Sequence, residues 1–260
     1  MINRYAYTSM TGATAATQQL AVTSNNLANA LTPGFREVIS AFRAVPLKGD
    51  GVPFTGNGAD TRVFNVDTTP GSNFTAGPIE TTGNPLDFAI KGDGYFAVRR
   101  PDGSEAYTRS GKFFIDEAGL LKLGKDVQVV GTGGPVTIPM NATMQVAEDG
   151  SVYTQIPGTQ YLNQAGKLKL VNPDSNSLTR AEDGLFEIAG GAAAPDEKVR
   201  VVQGGFELSN VSSAAAMVQM IDESRAFDLN MRALTTADQN AKSLTAVSYT
   251  HLTLPTNREV

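Results

Sequence analysis

Carboxylates are the residues of this sequence whose number and spacing could do chemistry. Four adjacent pairs stand out: Asp116-Glu117, Glu148-Asp149, Glu182-Asp183 and Asp196-Glu197. General acid–base catalysis needs two carboxyls converging on one substrate. Neighbours in a strand point to opposite faces, so a pair in sequence is not a pair in space. In two of the four, the second member precedes a glycine, where Asp is turn chemistry. Gly131-Thr132-Gly133-Gly134 has the glycines of a phosphate loop. It lacks the Lys-Ser/Thr ending, and Pro135 stands where a helix should open, so a β-turn is the reading. There is no cysteine and one histidine, His251. Disulfides, thiolate metal sites and a cysteine nucleophile are excluded, and a His-dependent triad would rest on one residue. We expect no catalytic, cofactor-binding or metal-binding residue, and no enzyme.

The elements that must position any site follow from composition and pattern. A chain of 260 residues, 41% hydrophobic and 18% charged, can bury a real core. Its net charge of −5 argues against a nucleic-acid partner, which would need a basic face. The 26 glycines and 13 prolines suit a turn-rich β protein. Residues 5–35 carry no charge, yet Thr, Ser, Gln and Asn fill half of Thr8 to Leu31. That stretch is too polar to span a membrane or to serve as the apolar region of a cleaved secretion signal.

Two helical zones bracket a β-rich middle. Met10, Ala13, Thr17, Leu20, Ser24, Leu27 and Leu31 recur at steps of three and four, and Pro33-Gly34 closes that helix. Met217, Met220, Phe227, Met231, Leu234 and Ala241 form a second stripe, with Ile221 and Leu244 beside it and Ser209 or Asn210 as N-cap. Between them, strand-like runs at 86–90, 95–98, 112–115, 127–130, 167–171 and 198–202 alternate with Asp93-Gly94, Asp102-Gly103, Ala118-Gly119, Asp149-Gly150 and Asp183-Gly184. Short strands so spaced suggest an irregular sandwich or barrel. The apolar stripes need a cover, which is the β body, each other or neighbouring copies. Asn25, Asn26 and Asn29 are poor interior helix residues, and we read them as fixing register between packed helices by side-chain hydrogen bonds.

The run Ser24-Asn25-Asn26-Leu27-Ala28-Asn29-Ala30-Leu31-Thr32-Pro33-Gly34-Phe35-Arg36 resembles the N-terminal signature of the bacterial flagellar rod and hook family. Asp87–Phe96, Tyr107–Phe113 and Gln203–Val211 resemble its central β motif, the strand after it and the approach to its C-terminal helix, in the family's order. Tyr7-Thr8-Ser9-Met10 and Phe42-Arg43-Ala44-Val45-Pro46 are nearer to the proximal-rod branch than to the distal-rod branch. The resemblance implies a structural axial component of the basal body, transmitting torque across the periplasm and exported by the flagellar type III apparatus without a cleaved signal. Its implied partners are proximal and distal rod paralogues in a helical hetero-assembly, and the export apparatus. The distal-rod paralogue of the same family, a secreted β-rich binding module and a wall-degrading hydrolase are the alternatives.

The expected fold is mainly β with α, a central all-β domain flanked by terminal helices that pair, by family resemblance, as a coiled coil. The expected division is an N-terminal helix at 1–35, an extended connector at 36–84, a central β domain at 85–205 and a C-terminal helix at 206–247. Residues 248–260 lose the heptad stripe and contain Pro255, and we read them as an atypical, foreign tail. The expected assembly interface is Leu20, Asn25, Asn26, Leu27, Asn29, Leu31, Pro33, Gly34, Phe35, Met217, Met220, Ile221, Phe227, Met231 and Leu234.

Overall fold

A computed structural model describes the backbone of residues 2–46, 63–124, 126–158 and 161–252, and the side chains of 6–43, 71–124, 126–158 and 161–243. The chain forms two compact units. One comprises 2–27, 38–46, 63–71 and 213–252, the other 28–37 and 72–212, within the described residues.

The first unit is built on helix α1 (Ile2–Ala28) and helix α2 (Ser213–Leu252). Strands Val38–Pro46 and Val63–Ser72 pair with each other beside them. These strands lie in the stretch expected to be a connector. Thr11, Thr14 and Thr17 return their hydroxyls to backbone carbonyls three or four residues back, so a Thr-rich segment stays helical without stranded donors. The helix ends at Ala28, short of Leu31. There the Thr32 hydroxyl donates to Asn29 Oδ1 and the Thr32 amide to the Asn29 carbonyl, a turn that replaces a further helical turn. α2 starts at Ser213, later than 206, because Gly205–Glu207 pairs as a strand with Ile79–Thr81. Helix α2 continues through 248–252, the first part of the supposed tail, and 253–260 lie outside the described residues.

The second unit is β structure. Among the described residues its largest sheet has nine strands, running in order Leu178–Arg180, Phe186–Ile188, Glu105–Thr108, Tyr95–Arg99, Val127–Gly131, Leu121–Leu123, Phe114–Ile115, with two short strands attached. Tyr95–Arg99 is central and buried on both faces, as its unbroken apolar run requires. Phe96 packs with Phe88 and Phe113 in the larger core. That core also takes Met144 and Val152 from a three-stranded sheet, and Ile90 and Val201 from a strand pair. Tyr95 and Ala97 face the opposite way, into a second cluster with Tyr107 and Phe186.

The motifs that carry the resemblance converge on one buried carboxylate. Glu207 is 1% exposed. Its Oε1 lies 2.7 Å from Arg36 Nη1 and its Oε2 lies 2.8 Å from Arg109 Nε, and both arginines are buried. The Gly77 amide donates to Oε1, and the Gly34 amide to the Glu207 carbonyl. Arg109 spends its two terminal nitrogens on the carbonyls of Gly94 and Gly92, and Arg36 donates to Thr75 O. Burial lowers the pKa of Arg109, an effect that Glu207 opposes. Gly34 has φ +68 and a Cβ there would meet the Ser110 nitrogen at 2.2 Å, so only glycine fits between Pro33 and Phe35. Arg180 lies 4.2 Å over the Phe35 ring and donates to the Arg36 carbonyl. Asn210 closes the same region: its Oδ1 accepts from the Glu37 amide, and its Nδ2 donates to Asn73 O and Thr75 O.

The carboxylate pairs do turn work. Asp116 accepts from the amides of Ala118 and Leu120, Asp149 from Ser151, Asp183 from Leu185 and Asp196 from Lys198. Gly131–Gly134 is a hairpin turn between two strands.

Two outcomes follow. Glu207→Gln leaves two buried arginines with no anionic partner, and loss of one member of such a cluster costs about 3–5 kcal/mol. Chemical denaturation should register it, and an unchanged midpoint would contradict the account. Asp116, Asp149 and Asp183 are held below the usual carboxylate range, chiefly by the Lys122 side chain, the Ser151 amide and the Arg100 guanidinium respectively. A depressed carboxyl adds stability above its unfolded pKa of about 3.9 and loses it as pH falls through the folded value. The Tm should hold from pH 7 to about 5 and decline below about 4. The slope should be shallow, because solvent reaches all three.

Candidate functional site

The terminal helices are packed through small residues. Thr23 Oγ1 donates to Glu223 Oε1 at 2.8 Å, and the Asn230 side chain abuts Gly12. As α1 numbers fall, α2 numbers rise, so the helices run antiparallel. On α2 the covered positions include Ala216, Met220, Glu223, Phe227, Asn230, Leu234, Ala237 and Ala241, at steps of four and three, with Ala226 beside them. On α1 they include Ser9, Ala13, Ala16, Leu20, Thr23 and Leu27, with the same alternation. Both series are coiled-coil seams. Ala13, Ala16, Ala216 and Ala237 are its buried apolar members, and Leu20, Leu27, Met220, Phe227 and Leu234 are half-buried on it.

Other large apolar side chains of the two helices lie outside the seam. Tyr7 is 63% exposed, Met10 58%, Val218 60% and Leu229 65%. Met217, Ile221 and Met231 are exposed as well. The expected stripes therefore split. Of the α1 series, Ala13, Leu20 and Leu27 lie on the seam, while Met10, Thr17, Ser24 and Leu31 are exposed. Of the α2 series, Met220, Phe227 and Leu234 lie on the seam, while Met217, Ile221 and Met231 face out.

Of the three asparagines, Asn26 acts differently from the reading above. Asn26 is buried, and its amide clamps the backbone of Val38, accepting from the N–H at 2.9 Å and donating to the carbonyl at 2.8 Å. Its partner is a strand, where a second helix was expected. Two backbone groups at a strand start are thereby satisfied by one side chain. Asn25 is exposed, Asn29 and Pro33 are half-buried, and Gly34 and Phe35 are buried in the β unit. Thr23, Glu223, Arg36, Arg109, Glu207 and Asn210 were not among the expected site residues. Arg36, Arg109 and Glu207 carried a signal, since each is a charge set among Gly and aromatic residues. Thr23 and Glu223 carried none, being 200 residues apart.

Asn26→Leu should strand the Val38 N–H and carbonyl, at about 1–3 kcal/mol for a buried unpaired group. The Val38 amide should exchange faster and the unfolding midpoint should drop. Unchanged protection at Val38 would contradict the clamp.

Comparison with known proteins agrees with this geometry. Residues 7–36 match the family described as flagella basal body rod protein. Residues 89–154 match the flagellar hook protein FlgE/F/G D1 domain, and residues 202–247 the flagellar basal body rod FlgEFG protein C-terminal family. The flagellar basal-body rod protein FlgF of Escherichia coli K12 is 38% identical over 90% of this chain and 94% of its own. FlgF of Salmonella typhimurium LT2 is 37% identical over the same shares. The rod protein FlgG of Bacillus subtilis 168 is 30% identical over 93% of this chain and 97% of its own. With these matches spread from the first helix to the last, the chain belongs to the flagellar basal-body rod and hook family and is FlgF-like within it.

Proposed function

We propose that the chain is a structural subunit of the flagellar rod that assembles through the outward face of its terminal helix pair. One observation carries this. The seam between α1 and α2 takes in Leu20, Leu27, Met220, Phe227 and Leu234 with four alanines, while Met10, Met217, Val218, Ile221, Leu229 and Met231 remain in solvent. Burying such a side chain is worth about 1.5–3 kcal/mol, so several together can hold a subunit in a repeated assembly. A heterologous contact that does not close on itself generates a helical filament, which suits a rod.

The same helices carry the rest of the expected interface. Leu20, Leu27, Met220, Phe227 and Leu234 hold the pair together, and Asn26 holds the strand at Val38 against it. Met217, Ile221, Met231, Asn25 and Leu31 are the positions open to a neighbour. Gly34 and Phe35, with Pro33, set the turn into the β unit. The role is mechanical and not enzymatic. Tight contacts repeated from subunit to subunit pass torque along the axis, and the cross-linked core of the β unit resists shear. Proximal and distal rod paralogues are the neighbours in this reading, in a rod that crosses the periplasm. Export through the flagellar apparatus without a cleaved signal is its route. Among the described residues no helix is long and apolar enough to cross a membrane.

Met217→Asp with Ile221→Asp tests the proposal, because both positions are exposed in the free subunit. The circular dichroism spectrum and Tm of the purified chain should stay at the parental values. Swimming in a strain relying on this gene should be abolished, with the variant missing from purified basal bodies. Normal swimming with the variant incorporated would overturn the reading.

A further inference from the structure

The segment 199–210 completes the β unit from its C-terminal side. Among the described residues, Arg200–Gln203 is the strand partner of Phe88–Lys91, and Gly205–Glu207 is that of Ile79–Thr81. Phe88, Ala89 and Ile90 are buried, so their backbone groups need that partner. Val199 and Val201 fill the larger core beside Phe88, Phe96, Met144 and Val152. Between the two strands, Gly204 accepts from the amides of Thr82 and Gly83 and donates to the Asp87 carbonyl.

The side chains of the same segment tie together stretches that are far apart in sequence. Gln203 donates to the carbonyls of Pro85 and Met144 and accepts from the Val146 amide. One amide group thus fastens the three-stranded sheet to the turn before Phe88. Glu207 gives two buried arginines their carboxylate. Asn210 reaches Glu37, 173 residues earlier, and also Asn73 and Thr75. Elsewhere in the unit, Tyr95–Arg99 pairs with Glu105–Thr108, and Thr143–Val146 with Ser151–Gln155, across short turns. Such hairpins are marginal in water by themselves. Closing long loops costs entropy before any contact offsets it.

We propose that 199–210 is a closing clasp, and that the β unit folds in one step that waits for it. Until the clasp docks, Phe88–Lys91 has no strand partner, the larger core lacks two valines, and Arg36 and Arg109 have no carboxylate. The unit therefore stays open through most of synthesis. With the export route proposed above, an open chain is the form that a channel can thread. The clasp itself goes beyond the rod reading and does not rest on it.

Refolding of the full chain by dilution from denaturant, followed by pulsed amide exchange, tests the proposal. Peptides covering 95–99, 105–108 and 127–131 should gain protection at the same rate as those covering 199–207. Gln203→Ala keeps the core side chains and strands the groups at Pro85, Met144 and Val146. It should slow refolding about tenfold and change the unfolding rate by no more than about twofold. Leu178→Ala, in the second cluster, should speed unfolding about tenfold and leave refolding within about twofold. Protection of 95–131 about tenfold sooner than 199–207 would overturn the inference. So would a Gln203→Ala chain that refolds at the parental rate, or equal slowing by Leu178→Ala. None of these results involves a basal body, so a failure here leaves the rod reading standing.

Discussion

A carboxylate with no access to water cannot stay charged alone, and Glu207 has almost none. Its two arginines come from segments far away in sequence, Arg36 from the turn after α1 and Arg109 from the strand region after Tyr107. The ion cluster therefore dictates where three segments of chain must meet. Arg109 cannot reach Glu207 unless Gly92 and Gly94 bring their carbonyls to its other nitrogens. Arg36 cannot do so unless Gly34 makes the turn that only a glycine fits. In other proteins, replacing a buried ion cluster by well-packed apolar residues is often neutral. Here every member also ties a backbone group, so the cluster specifies geometry as well as contributing energy.

In the helical unit the governing constraint is the width of the covered face. The seam holds Leu20, Leu27, Met220, Phe227 and Leu234 with alanines at 13, 16, 216 and 237. Methionines and isoleucine at 10, 217, 221 and 231 have no cover within the unit. A lone globular protein would bury such side chains, since that removes apolar area from water. Leaving them exposed makes sense in a chain whose burial is completed by other copies and paralogues.

What the sequence revealed depended on whether the cause was local. The Asp-Gly and Ala-Gly turns at 94, 103, 119, 150 and 184 were legible, and all five glycines have positive φ. Tyr95–Arg99 was legible because both of its faces are apolar. Thr143–Val146 and Ser151–Gln155 were missed, since polar residues alternate through them and their pairing is with each other and not with an obvious core run. The strand at 63–72 was missed because Asn, Thr and Gly dilute any period, and the apolar run at 38–46 was counted with the Gly- and Pro-rich stretch that follows it. Helix phase was half legible. Met220, Phe227 and Leu234 were assigned to a packed face, yet Met10, Met217 and Met231 were drawn into the same stripes because hydropathy registers size and not which face has a partner. Asn26 was recognised as a polar residue with a packing task, but its pairing with Val38 depends on where the following strand starts.

The central claim is that the outward face of the helix pair is covered in the rod. Methionine oxidation reads it directly, because Met10, Met217 and Met231 are exposed and Met144 is buried at 4% exposure. Peroxide treatment of the isolated chain should oxidise the first three quickly and spare Met144. In purified basal bodies Met10, Met217 and Met231 should become as slow as Met144. Oxidation of those three at the same rate in the assembled rod as in the free chain would contradict the account.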